Sequence, residues 1–395
     1  MTSTAPLRRR ARLAATAILA GTVLSIAASP GPAAAESNGN AGAVYVMTNE
    51  PSGNRILVYD RATDGTLGAP VSVPTGGRGS GNFEMSGNGL ILTGPGREAS
   101  PNNFNGGHRF LIATNTSSGD VSVFRVGPHG LTLSDVESSG GTFPTSVTYH
   151  SGVLYVMNAG GTSCMGGVPN ITGFRLDARG ELTPIPGSAR TISNGTLSGC
   201  AQVSFNPKGD TLVVTERGSD AISTYTVDRD GIATGPIQNQ TTGNGPFAFT
   251  FTQTGKLLTS ENFQGLAGQG GAAAYDIVDG VLVPIGPTAR NFRSDTCWIV
   301  ITDSQRYAYT TNAQSGDISS YTVDPDGTLT LLQPVAATIG LIASDQAFSQ
   351  NSRYLYARSF ANGTLSSFEV QNDGSLRPIE TITGIPPGAI GISAR

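Results

Sequence analysis

Glu216 and Glu261 lie 45 residues apart and end apolar, alternating segments at corresponding places in consecutive repeats of the chain. Two carboxylates brought to one rim can push each other's pKa apart, which suits one of them to general-base work. The same pair can instead cap backbone amides or pair with Arg217. Corresponding positions in the other repeats carry small neutral groups: Asn49, Asn115, Asn158, Asn312 and Ser359. The segments just before add Gln202, Phe247, Trp298, Asp345 and Gln346 near their starts. Glu216 and Glu261 are therefore the candidate catalytic groups. Asn158, Gln202, Arg217, Asn312, Asp345 and Gln346 would contact a substrate against an apolar wall of Phe247 and Trp298. In a variant of this reading both glutamates and the asparagines hold Ca²⁺, a hard ion that prefers oxygen ligands. Otherwise no cofactor is expected.

Other chemistries are poorly served. The three histidines, His108, His129 and His150, fall in or beside turns expected on the opposite rim, which argues against a Ser-His-Asp arrangement. No His/Cys cluster has zinc spacing. The glycine-rich run 265–271 lacks the Lys-Ser/Thr of a phosphate loop and reads as a lid or insertion beside Glu261. Of three cysteines, Cys164 and Cys200 fall on the same rim in neighbouring repeats and are the expected disulfide. Cys297, beside the lone Trp298, is expected to be buried and inert.

The elements that must position these residues are written in a repeat. Tyr59, Phe124, Phe174, Tyr225, Tyr275, Tyr321 and Phe368 are each followed five or six positions later by Gly65, Gly130, Gly180, Gly231, Gly280, Gly327 and Gly374. The aromatics lie 65, 50, 51, 50, 46 and 47 residues apart, a period typical of propellers, solenoids or arrays. Each repeat reads as four strands, a to d. In the third they fall at 145–150, 153–157, 171–176 and near Thr183. Strand c alternates, with Ile318, Ser320 and Thr322 on one face and Ser319, Tyr321 and Val323 on the other. The Asp-Gly pairs that follow, such as Asp64-Gly65 and Asp326-Gly327, readily take the positive φ of a tight hairpin.

The first repeat starts at strand b (43–48) and lacks a strand a, whereas the chain finishes with 388–393, which matches one. Blade 1 is thus assembled from both ends, and the reading is a closed, all-β, seven-bladed propeller over 43–395. Alternating strand direction puts the b–c and d–a connections on one face, the top. The irregular segments there (76–81, 159–170, 188–199 and 263–271) make that mouth the candidate site. The other face has short turns, except for an insertion at about 94–108.

Residues 1–35 read as a signal peptide: Arg8, Arg9, Arg10 and Arg12, an apolar run over 13–28, then Ala33-Ala34-Ala35. Residues 36–42 would be a flexible mature start, and the product exported. The chain has 24 Lys+Arg and 28 Asp+Glu; the leader removes four arginines and leaves a net charge of −8. A mildly acidic surface argues against nucleic acid or anionic membrane as partner. A monomer is expected.

The phrase from Tyr309 to Leu329, with Thr311-Asn312, Ser315-Gly316, Ile318-Ser319, Tyr321, Val323 and Asp326-Gly327, resembles the seven-bladed lactonase family. That family includes 6-phosphogluconolactonases of propeller type and carboxymuconate-lactonizing enzymes. The resemblance covers 43–395 and implies a hydrolase or cyclase acting on lactones of sugar acids or muconates. Members typically begin one strand a with Pro-Arg-His and end the next strand b with Asn-Glu. Here that strand a starts Cys200-Ala201-Gln202, and the Glu is kept as Glu216 after Thr215. Loss of the Arg argues against a phosphorylated substrate. Taken with the expected leader and the two glutamates, the reading is an exported lactonase-like hydrolase or cyclase with a Glu base at the top mouth. The alternative is a propeller that binds a ligand or protein without catalysis.

Overall fold

Alternating apolar residues and turn-forming glycines resolve into seven antiparallel sheets. The computed structural model describes residues 41–93, 109–128, 130–162, 166–386 and 388–395. The expected leader and the insertion near 94–108 lie outside the described residues, as do His108, His129 and Cys164. Blade 1 contains Gly42–Met47, Arg55–Arg61 and Val71–Pro74, completed by Ile392–Ala394. Blades 2 to 7 span 90–138, 144–184, 200–240, 246–284, 296–338 and 343–383, each with strands in the order a to d. Blades 3 and 5 carry an additional two-residue strand, Arg190–Thr191 and Ala289–Arg290.

The ring closes as its ends imply. Val44, Tyr45 and Val46 pair with Ala394, Ser393 and Ile392. The Met47 amide donates to Gly391 O at 3.1 Å, and Arg61 Nε donates to Arg395 O at 3.0 Å. Closure buries strand edges that would otherwise offer unpaired backbone groups. Between blades, apolar faces meet as in a sandwich. Tyr155 and Met157 of blade 3, for example, pack with Val203, Phe205 and Leu212 of blade 4.

The repeated glycines do more than turn the chain. Gly65, Gly231 and Gly374 have φ of +89°, +74° and +81°. Their carbonyls accept hydrogen bonds from Tyr356, Tyr155 and Tyr309, each on strand b of the preceding blade, at 2.8–2.9 Å. A Cβ at Gly374 would stand 2.6 Å from the Tyr307 ring. The hairpin therefore needs glycine both for its backbone conformation and for the approach of the neighbouring blade. Among the described residues no helix is long and apolar enough to cross a membrane.

Candidate functional site

The ends of the b strands lie where the d–a connections cross, and their side chains stitch these elements together. Asn312 donates through Nδ2 to Asp317 Oδ1 and Ser319 Oγ of strand c, both at 2.8 Å. Its Oδ1 accepts from Asn291 at 2.9 Å and Thr296 at 2.6 Å, on and just after the incoming connection. Asn115 does the same, donating to Ser122 at 2.7 Å and accepting from Asn54 at 2.9 Å and Thr75 at 2.8 Å. Asn158 donates to Ser139 O at 3.1 Å and Asn170 Oδ1 at 2.9 Å.

Glu216 occupies this seam position in blade 4. Ser223, the strand c counterpart of Ser122 and Ser319, donates to its Oε1, reversing the polarity of the asparagine bond. Ser193 adds a bond to Oε1 at 2.6 Å, and the Asn194 side chain one to Oε2 at 2.9 Å. Glu261 in blade 5 accepts from the Gly243 amide at 3.0 Å, Tyr275 OH at 3.2 Å and Thr288 Oγ1 at 2.7 Å. Burial raises the Glu261 pKa, opposed by the Thr288, Gly243 and Tyr275 bonds and by the charge of Arg290. The two glutamates are both fully buried and share no hydrogen-bond partner among the described residues. Arg217 opens a short 3-10 turn, Arg217–Ser219, and its carbonyl accepts from Gln264 at 2.6 Å.

The centre of the mouth is filled by the d–a connection from blade 1 to blade 2, residues 75–89. Asn49 fastens its start: the Ser80 amide donates to Asn49 Oδ1 at 2.9 Å, and Asn49 Nδ2 donates to Asn82 O at 3.0 Å. The segment 83–88 then crosses the pore as a plug. Phe83 stacks edge-on against Phe360 (4.9 Å between centroids) and Trp298 (6.0 Å). Met85 packs with Phe247, Ala248 and Trp298. Trp298 Nε1 donates to Ser86 O at 3.2 Å, the Gly87 amide to Ala201 O at 2.9 Å, and the Val147 amide to Asn88 O at 2.9 Å. Phe247 and Trp298, expected as a substrate wall, are buried as the bed of this plug.

Below it, Gly87, Asn88, Gln202, Trp298, Asp345 and Gln346 help line a cavity of about 10 Å³, room for about one water. Gln202 bridges to the Phe249 backbone through both ends of its amide, at 2.7 and 3.2 Å. Gln346 donates to Tyr309 O at 2.7 Å. Asp345 accepts from the Gly391 amide at 2.8 Å; burial pushes its pKa up to about 6 against that bond and the charge of buried Arg358. Roomier clefts, of about 610 and 560 Å³, lie on the opposite face among polar turns.

Sequence reasoning missed Glu84, which sits in the plug and is fully buried. Ser80 Oγ donates to its Oε1, while Oε2 meets no protein donor. Burial pushes its pKa up to about 7, against the Ser80 bond. The available signal was a carboxylate inside a long, glycine-rich top connection that fits no strand.

Among the described residues no group of three or more His, Cys, Asp or Glu is placed to hold a metal ion. Cys297 is free and buried, and burial, with Asp295 beside it, pushes its thiol well above the ordinary range. Cys200 is not free, and its expected partner Cys164 is outside the described residues. His150, at the end of strand a in blade 3, packs edge-on against Phe205, away from the top mouth.

The model of a family described as Lactonase, 7-bladed beta-propeller, matches residues 168–264 and 280–389. No curated protein matches the chain in sequence. Among solved structures, a periplasmic gluconolactonase from Pseudomonas aeruginosa aligns with a TM-score of 0.66 at 16% identity, over 89% of this chain and 98% of its own. A provisionally assigned 6-phosphogluconolactonase from Bacteroides uniformis gives 0.66 at 16% identity, covering 90% and 99%. A Lactobacillus plantarum protein gives 0.67 at 14%, with the same coverage. At such identities the structural likeness speaks for the fold alone.

Proposed function

The chain belongs to the seven-bladed β-propeller lactonase family, and on that premise we propose that it acts on a small lactone at the top mouth, using a buried glutamate as general base. The observation that carries the reading is the family match, which spans most of blades 3 to 7. The top mouth is favoured because irregular connections and buried carboxylates meet there on a rigid scaffold.

Glu216 and Glu261, the base candidates expected from the sequence, have their oxygens occupied by hydroxyl and amide donors. Their bonding favours a seam role, since each does in its blade what Asn115 and Asn312 do in theirs. The same bonding disfavours Ca²⁺ between them, because hydroxyl and amide donors already face their oxygens. Export through residues 1–35, a Cys164–Cys200 disulfide and a monomeric state belong to the same proposal.

A non-catalytic binding propeller is the second reading. It is favoured by the plug, beneath which the described residues enclose a cavity with room for little more than a water. A panel of five- and six-membered lactones, sugar-derived and alkyl-substituted, separates the two. We expect ring opening of at least one lactone well above the spontaneous rate, and retention of most of that activity in Glu216→Gln and Glu261→Gln. A hundredfold loss in either variant would return the base to the seam. An inert wild-type protein would leave only the binding reading.

A further inference from the structure

Unpartnered buried polar groups are few in folded proteins, and each calls for an explanation. Among the described residues such groups occur in several blades, and three of them fall at alternate residues of the plug. Glu84 Oε2, Ser86 Oγ and Asn88 Nδ2 are all buried and meet no protein partner, while Phe83 and Met85, on either side of Glu84, are only partly buried. Asn88 also lines the pore cavity, as does Gln346, whose Oε1 is likewise unpartnered. The plug thus holds an underbonded carboxylate, hydroxyl and amide within five residues, over a turn in which the Ser86 amide donates to Glu84 O at 2.9 Å. Those are the groups needed to take a proton, to steer a hydroxyl and to hold a carbonyl oxygen.

We propose that this turn of the plug is the reacting surface, with Glu84 the general base and Ser86 and Asn88 the groups that hold the lactone. The proposal rests on the lactonase reading and adds residues that the family resemblance does not mark. Glu84 Oε2 takes a proton from water as the water oxygen bonds to the lactone carbonyl carbon. The tetrahedral oxyanion is held by the Asn88 amide. As it collapses, the bond from the carbonyl carbon to the ring oxygen breaks, and Glu84 returns the proton to that oxygen. The product is the open hydroxy acid, and Glu84 is again a carboxylate. No metal or redox partner is required.

The plug is held closely at both ends: a Cβ at Gly79 would collide with the Asn49 backbone, and one at Gly87 with the Gln202 side chain. Admission of a substrate therefore requires the segment to part from these neighbours. A substrate would enter under Phe83 and Met85 and meet Glu84 as the plug settles over it.

The test combines turnover with the chain's single tryptophan. Trp298 donates to the plug backbone and contacts Phe83, so its emission reports whether the plug is seated. Glu84→Gln keeps an acceptor for Ser80. It should leave Trp298 emission unchanged and lower kcat on the best lactone by 10²- to 10⁴-fold. Asn88→Ala should lower kcat by at least tenfold with a smaller change in KM. Full turnover by Glu84→Gln, with an active wild type, overturns the role of Glu84 and leaves the lactonase reading standing. A wild type without turnover removes that reading and the proposal together. Should Glu84→Gln shift the emission, Ser86→Ala and Asn88→Ala decide: unchanged kcat in both overturns the proposal.

Discussion

Glu216 and Glu84 are buried to the same degree at the same face, yet they are treated in opposite ways. Glu216 receives donors from Ser193, Asn194 and Ser223 and joins a connection to two strands. Glu84 receives Ser80 alone and keeps one oxygen without a partner. A carboxylate saturated by hydroxyls and amides is a structural tie, because its lone pairs are committed. One left underbonded in a dry place holds its proton near neutrality and can exchange it. Residue type and burial do not separate these roles; the count of donors does.

The contrast breaks most visibly in stability. Glu216→Ala would strand several buried donors at once, each costing on the order of 1–3 kcal/mol. We expect an overall loss of about 2–4 kcal/mol in chemical denaturation, whereas Glu84→Gln should cost less than about 1 kcal/mol. Equal losses would erase the distinction between tie and reactive group. A smaller effect sharpens the scaffold side. Tyr356→Phe removes one bond from blade 7 to Gly65 of blade 1, across the point where the ring closes. Losing a single buried hydrogen bond should cost about 1 kcal/mol and leave lactone turnover unchanged. A drop in turnover would mean that scaffold and mouth are coupled.

The scaffold was legible because it repeats. The strand c aromatics and the Asp-Gly turns recur under one local rule, and the missing strand a at the start matched the surplus one at the end. What the sequence did not show is that Gly65, Gly231 and Gly374 also receive tyrosines from the blade before, a contact made only across the sheet stack. The mouth was legible in part. Glu216 and Glu261 do end their b strands, but their partners Ser193, Gly243 and Thr288 lie on connections with no period to read. The plug was least accessible to sequence reasoning. Its place over Ala201, Trp298 and Phe360 depends on closure of the whole ring, and nothing local in residues 83–88 announces it.

Catalysis at the plug requires a proton held by Glu84 near neutrality. Carbon-13 labelling of glutamate carboxyls, followed by NMR through a pH titration of the wild type and Glu84→Gln, reads it directly. A resonance with its midpoint at about 7 that is absent from Glu84→Gln is the predicted result. If no resonance lost in Glu84→Gln titrates above the ordinary glutamate value of about 4.3, the poised carboxyl does not exist and the account is contradicted.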